Sequence, residues 1–183
     1  MFEKFDKIYF YEICNKLMGY NTDFTGSIGI QKNVDNETIE FLHGLSNTRR
    51  MMRNPEILAR NLGITKEECI SKYGEEGQYY FNEGNNLGEE HTEDIINYNC
   101  PPLGQPSLWC NWRLGKDNRS IEWNNMEKFI KYIPWMKYIV EELKNRNYIL
   151  NGTIFWYGDD NNDRGKIIVK DNIVNVIRYN LAN

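Results

Sequence analysis

A chain of 183 residues with 40% hydrophobic, 14% aromatic and 26% charged side chains can bury roughly 70% of its unfolded surface, and is too rich in aromatics to stay disordered. Its net charge of −4 argues against general nucleic-acid binding, which needs clustered Lys and Arg to neutralise phosphates. The four cysteines form no Cys-x-x-Cys pair and the histidines are two, His43 and His91, so the closely spaced ligands of structural zinc are missing.

Along the chain, residues 2–18 place Phe5, Ile8, Tyr9, Ile13 and Leu17 at helical spacing. Charges at positions 3, 4, 6 and 7 interrupt any signal-peptide core, and no apolar run reaches the ~20 residues that span a bilayer. The expectation is therefore a soluble protein of the host-cell cytosol with reduced thiols. Phe24–Gln31 alternates like a strand, and Asp35 is placed to cap a helix carrying Ile39, Phe41, Leu42 and Leu45. That helix is expected to run on towards Arg49 or Arg53. Pro55 and Gly63 punctuate the next stretch, and Thr65 with Glu68 has the spacing of a capping box that opens a helix to about Tyr73.

Gln78–Phe81 reads as a strand, and residues 82–104, rich in Asn, Gly and Glu, as a mobile loop. All five tryptophans, Trp109, Trp112, Trp123, Trp135 and Trp156, fall in the stretch after it. Leu108–Leu114 and Ser120–Trp123 read as a strand pair. Pro134 suits the first turn of a helix that reaches about Arg146, with Met136, Ile139, Val140 and Leu143 on its buried stripe. A meander of Ile149–Tyr157, Lys166–Lys170 and Ile173–Arg178 follows, its second turn being Asp171–Asn172. The predicted fold is one α+β domain over residues 1–183. It is a sandwich of a mostly antiparallel sheet with two main helices on one face, plus a helical insertion at 54–74.

Several patterns bear on chemistry. Asp159, Asn161 and Asp163 are spaced like calcium ligands. However, Arg164 and Lys170 stand where an EF-hand needs Gly and Glu, so no metal and no cofactor are expected. The acidic runs Glu89–Asp94 and Asp159–Asp163 read as solvated loops. Residues 58–74 resemble a helix-turn-helix, but Glu67 and Glu68 open the second helix and would repel phosphates. Sequence-specific DNA binding is accordingly not expected. Arg49, Arg50 and Arg53 would complement the dipole at the end of the first helix, or else grip an anion or an acidic partner. Cys110, between Trp109 and Trp112, reads as a small buried residue, since neither histidine is placed beside it. Strand alternation sets Trp109 and Trp112 on opposite faces, leaving one exposed or covered by a loop or partner. No catalytic residue is assigned.

The motifs QPSLWCNW, IEWNNMEKF and YILNGTIFWYGDDNNDRGKIIVKDN resemble a signature of small uncharacterised proteins encoded mainly by bacteriophages and bacteria. The likeness covers most of 105–176, and more weakly the segments TGSIGI, FLHGLSNTRRMMR and YGEEGQYYF. Asn124–Met126 departs from a glycine- and acid-rich turn, and Asn54–Lys72 looks inserted. The resemblance brings no catalytic residues. Together with the acidic charge, it implies a non-enzymatic phage or mobile-element accessory protein that inhibits or modulates a host protein. A nucleic-acid-binding effector of an anti-phage defence fits that role, making the chain an anti-CRISPR-like inhibitor. The contact candidates are Arg49, Arg50, Arg53, Trp109, Trp112, Glu89, Glu90, Asp159 and Asp160. Two alternatives stay open. One is a small-ligand or nucleotide-binding domain using the arginines and nearby aromatics. The other is a hydrolase using Glu122 and Asp160.

Overall fold

The computed structural model describes residues 20–81 and 90–179. The helix expected at 2–18 and the acidic residue Glu89 lie outside them. Strand β1 (Thr22–Ile30) turns its alternate residues Phe24, Ile28 and Ile30 inward. It pairs antiparallel along its whole length with β6 (Leu150–Gly158). At Gly26 the backbone adopts φ 96° and a Cβ would come within 2.4 Å of the Thr153 carbonyl. Only glycine lets the two strands approach this closely. With β4 (Trp112–Leu114), β5 (Ser120–Trp123), β7 (Arg164–Lys170) and β8 (Ile173–Arg178) these make a six-stranded sheet. Its order is β4-β5-β1-β6-β7-β8, with every pair antiparallel. The last turn is as read from the sequence: Asp171 and Asn172 both take positive φ, 49° and 63°, which a two-residue hairpin needs.

Two helices cover one face of the sheet. Helix α1 (Asn36–Asn47) starts where Asp35 Oδ1 accepts the Thr38 N–H at 2.8 Å, and Tyr148 Oη donates to the other carboxylate oxygen at 2.6 Å. The tyrosine hydrogen bond, then the helix-start N–H, hold the Asp35 carboxyl below its ordinary value. Helix α4 (Tyr132–Asn145) has no side-chain cap, but Pro134 sits in its first turn. It buries Trp135, Met136, Ile139, Val140 and Leu143 against Ile28, Ile121, Ile154, Trp156 and Ile167. Each such side chain contributes about 1.5–3 kcal/mol by leaving water. The protein is an α+β fold, as its sequence pattern implies.

The segment between α1 and β4 departs furthest from the sequence reading. Helix α2 (Pro55–Leu62) is capped by Asn54 and stopped by Gly63 at φ 69°; α3 (Lys66–Tyr73) opens on the Thr65–Glu68 capping box. Leu58, Ala59 and Cys69 form their own small core. β2 (Met52–Arg53) and β3 (Ile95–Asn97) pair as a two-residue ribbon, so the part of the expected 82–104 loop after Ile95 is tied down by backbone pairing. Gln78–Phe81 is not a strand. Its carbonyls are taken by a side chain rather than by a ladder.

Candidate functional site

That side chain is Arg50. Helix α1 ends at Asn47, two residues before the arginines, so none of the three sits at its C-terminus. The chain runs on extended, and the Arg50 backbone N–H is taken by Leu108 O at 2.8 Å. The Arg50 side chain is only 1% exposed. Its Nη1 donates to Tyr80 O at 2.7 Å, its Nη2 to Gln78 O at 2.7 Å and Gly77 O at 3.3 Å, and its Nε to Gln105 Oε1 at 3.0 Å. Among the described residues no carboxylate meets it, and burial pulls its guanidinium down to about 10. Five rigid donors suit a bundle of carbonyls; an external anion has no access to them.

Arg53 is spent in the same way. It is 4% exposed, and its Nη1 pairs with Asp94 Oδ2 at 2.5 Å while its guanidinium lies 4.0 Å from the Tyr80 ring centre. Asp94 is itself 2% exposed, so the run Glu89–Asp94 is not wholly a solvated loop. Its last carboxylate is a structural counter-ion, with Glu90 in solvent. Arg50 and Arg53 thus hold the middle of the chain together and cease to be contact candidates.

Arg49 faces the other way. Half-buried, it lies 4.1 Å from the Tyr98 ring centre and 5.8 Å from that of Trp109. Its Nη2 donates to Tyr98 O at 3.2 Å. Its Nε finds no acceptor among the described residues. His91 stacks on Tyr98 with ring centres 4.1 Å apart and planes 16° from parallel. The two tryptophans around Cys110 differ in burial, but Trp109 precedes β4, so strand alternation does not set its direction. Trp112 is 1% exposed and donates its indole N–H to Tyr132 O at 2.9 Å, which makes it core and not a contact residue. Trp109 is half-buried.

Trp123, Trp135 and Trp156 also have indole acceptors, Met126 O, Ser107 Oγ and Asp163 Oδ1. Trp109 shows none among the described residues. Ile96 at 58% exposed and Leu103 at 80% are also large apolar side chains in solvent.

The acidic hairpin loop between β6 and β7 is separate from this cluster. Asp159 Oδ2 accepts from Asn21 N at 2.7 Å and Asp160 Oδ1 from Asn162 N at 2.8 Å, with both residues exposed. Asp163 is a hub for Tyr20 Oη, Trp156 Nε1 and Arg178 Nη1. This loop folds on itself through its carboxylates. Among the described residues no three His, Cys, Asp or Glu side chains gather to hold a metal.

Catalytic arrangements find little support in the geometry. Glu122 is paired with Arg113 at 2.8 Å and, by the β1–β5 register, lies level with Ser27. The Asp159–Asp160 turn lies beyond Thr22 at the start of β1. That is about five residues, or roughly 17 Å along the strand, against the ~5–9 Å of a glycosidase pair. Burial pushes the Cys110 thiol up to about 12, away from thiolate chemistry. A depression of 240 Å³ lined by His43, Arg113, Lys116 and Asn118 falls below the ~300 Å³ of small ligand pockets.

Tyr98 and His91 are the contact candidates the sequence reading missed. Nothing local marks them, because they become neighbours of Arg49 only through pairing across about fifty residues of chain. Comparison with protein-family models, curated proteins and solved structures gives no match.

Proposed function

We propose that the protein is a non-enzymatic binding protein whose contact surface centres on Trp109, Arg49 and Tyr98, flanked by His91. One observation carries this reading. Trp109 is the tryptophan without an indole acceptor among the described residues, and the half-buried Arg49 guanidinium lies 5.8 Å from its ring centre. Tryptophan, tyrosine and arginine are the residue types that dominate protein–protein hot spots. An unused indole N–H gains from a partner's carbonyl or carboxylate.

The partner is a protein and not a nucleic acid, because the net charge is −4 and two of the three clustered arginines are used internally. In its finer form the partner is a host protein that the chain inhibits or modulates. The phage-type motif signature and the acidic balance support that form, with a nucleic-acid-binding defence effector as its specific case. A nucleotide-binding reading would now rest on Arg49 alone.

Pull-downs with the wild type, Trp109→Ala, Arg49→Ala and a distant control, Lys170→Ala, test the reading on bacterial lysate. A stoichiometric partner should be recovered by the wild type and the control and lost with the first two variants. Equal recovery by all four, or recovery of no partner, removes this surface as the site. A thermal shift with phosphate-bearing metabolites that disappears in Arg49→Ala would transfer support to the nucleotide reading.

A further inference from the structure

Strand β8 ends the sheet and, among the described residues, nothing pairs with its outer edge. The two edges of the sheet differ. β4 at the other end is three residues long with Trp112 and Leu114 buried. β8 is six residues long and pairs with β7 without a bulge. Ile173 is 63% exposed, Val176 36% and Ile177 43%. Natural edge strands are normally blunted by lysine, proline or a bulge; Ile173–Ile177 carries none of these.

The strand reads Ile-Val-Asn-Val-Ile, a palindrome centred on Asn175. Tyr179 N–H donates inward to Arg164 O at 2.8 Å. By the alternation of an antiparallel ladder, the N–H and C=O groups of Val174, Val176 and Arg178 then point off the free edge.

We infer that β8 pairs antiparallel with β8 of a second copy of this chain, about a two-fold axis through Asn175, to make one continuous sheet. An isologous interface must be self-complementary, and this strand meets that condition residue by residue. Ile173 faces Ile177, Val174 faces Val176 and Asn175 faces Asn175. Antiparallel pairing sets directly opposite side chains on the same face, so each apolar pair closes with its own kind. The charges agree as well. Ile173–Ile177 is uncharged, while Arg178 at one end comes opposite Asn172 of the second copy, next to that copy's Asp171. Both side chains are exposed; Arg178 also pairs with Asp163 of its own chain at 3.3 Å, with 61% of its side chain in solvent. A strand edge alone buries less than the ~1,600 Å² of a standard interface, so the dimer is a micromolar one. This surface is distinct from the Trp109 cluster and does not depend on it.

Sedimentation velocity from low to several hundred micromolar protein tests the inference, with circular dichroism to verify each fold. Asn175 is exposed, so its replacement leaves the core intact. Wild type should pass from monomer to dimer as concentration rises. Asn175→Lys and Asn175→Asp each set like charges together at the axis and should raise the dissociation constant about tenfold or more. An equimolar mixture of the two variants should restore dimer. A wild type that stays monomeric, a dimer indifferent to Asn175→Lys, or a mixture that behaves as the separate variants would each overturn the assignment. A strand from another protein, or another part of this chain, on the edge would appear as the first of these.

Discussion

Around the six-stranded sheet, Ile28, Ile121, Ile139, Leu143 and Ile154 are all at 0% exposure and exchange only apolar contacts. Between residues 49 and 105 the interior combines a few apolar side chains, Met51, Leu58, Ala59 and Cys69, with Arg50, Arg53, Asp94 and Gln105, which are held by directed hydrogen bonds. The first region tolerates approximate shape, because burial is non-directional. The second depends on direction, since a missing donor leaves carbonyls dry and unpaired. A polar relay joins the two: Gln105 Nε2 donates to Tyr138 Oη of α4 at 3.3 Å, and Tyr79 Oη donates to Glu142 Oε1 at 3.3 Å.

Three experiments sharpen or break that contrast. The largest effect belongs to the apolar half. Leu143→Ala should cost about 4 kcal/mol and raise hydrogen exchange throughout the chain, read by urea denaturation and mass spectrometry. Arg50→Lys keeps the charge but loses the planar fork. It should cost about 3 kcal/mol and open amides 76–80 and 105–108 before the sheet. A single transition with equal protection loss everywhere would show that the middle is not a separate unit.

The smallest effect tests the relay. Burial raises the Glu142 carboxyl above its ordinary 4.5, and Arg146 and the two tyrosines pull it partly back. A raised carboxyl binds its proton more tightly folded than unfolded. Its contribution is therefore fully present below pH 4.5 and lost as pH rises through the folded value. In Glu142→Gln that downward slope of stability with pH should vanish while the tyrosine hydrogen bond persists. An unchanged slope in urea titrations would place its origin elsewhere.

These differences also explain what was legible in the chain. Helix α1 with its Asp35 cap, the Thr65–Glu68 box and the Asp171–Asn172 turn rest on contacts within a few residues, and the sequence pattern carried each of them. The alternation of β1 was equally readable, because one face of the sheet is apolar there and the other is wet. Gln78–Phe81 was misread because its strand-like composition is overridden by Arg50, 27 to 30 residues upstream. The arginine trio was placed at a helix end because one-dimensional spacing cannot tell an arginine facing solvent from one capping buried carbonyls. In the candidate site, Trp109 was legible as a tryptophan needing cover. Its neighbours Tyr98 and His91 were not, since only tertiary pairing brings them to Arg49.

The Arg50 hub has a consequence for the order of events in folding. Its side-chain acceptors lie 27, 28, 30 and 55 positions away, so none of its bonds can form until long loops have closed. Contacts of this kind act mainly as latches on the finished state, slowing escape more than speeding arrival. Arg50→Lys should therefore shorten the lifetime of the native middle segment in stopped-flow unfolding while leaving the refolding rate of the sheet nearly unchanged. The most deeply buried charge among the described residues would then set how long the folded state lasts.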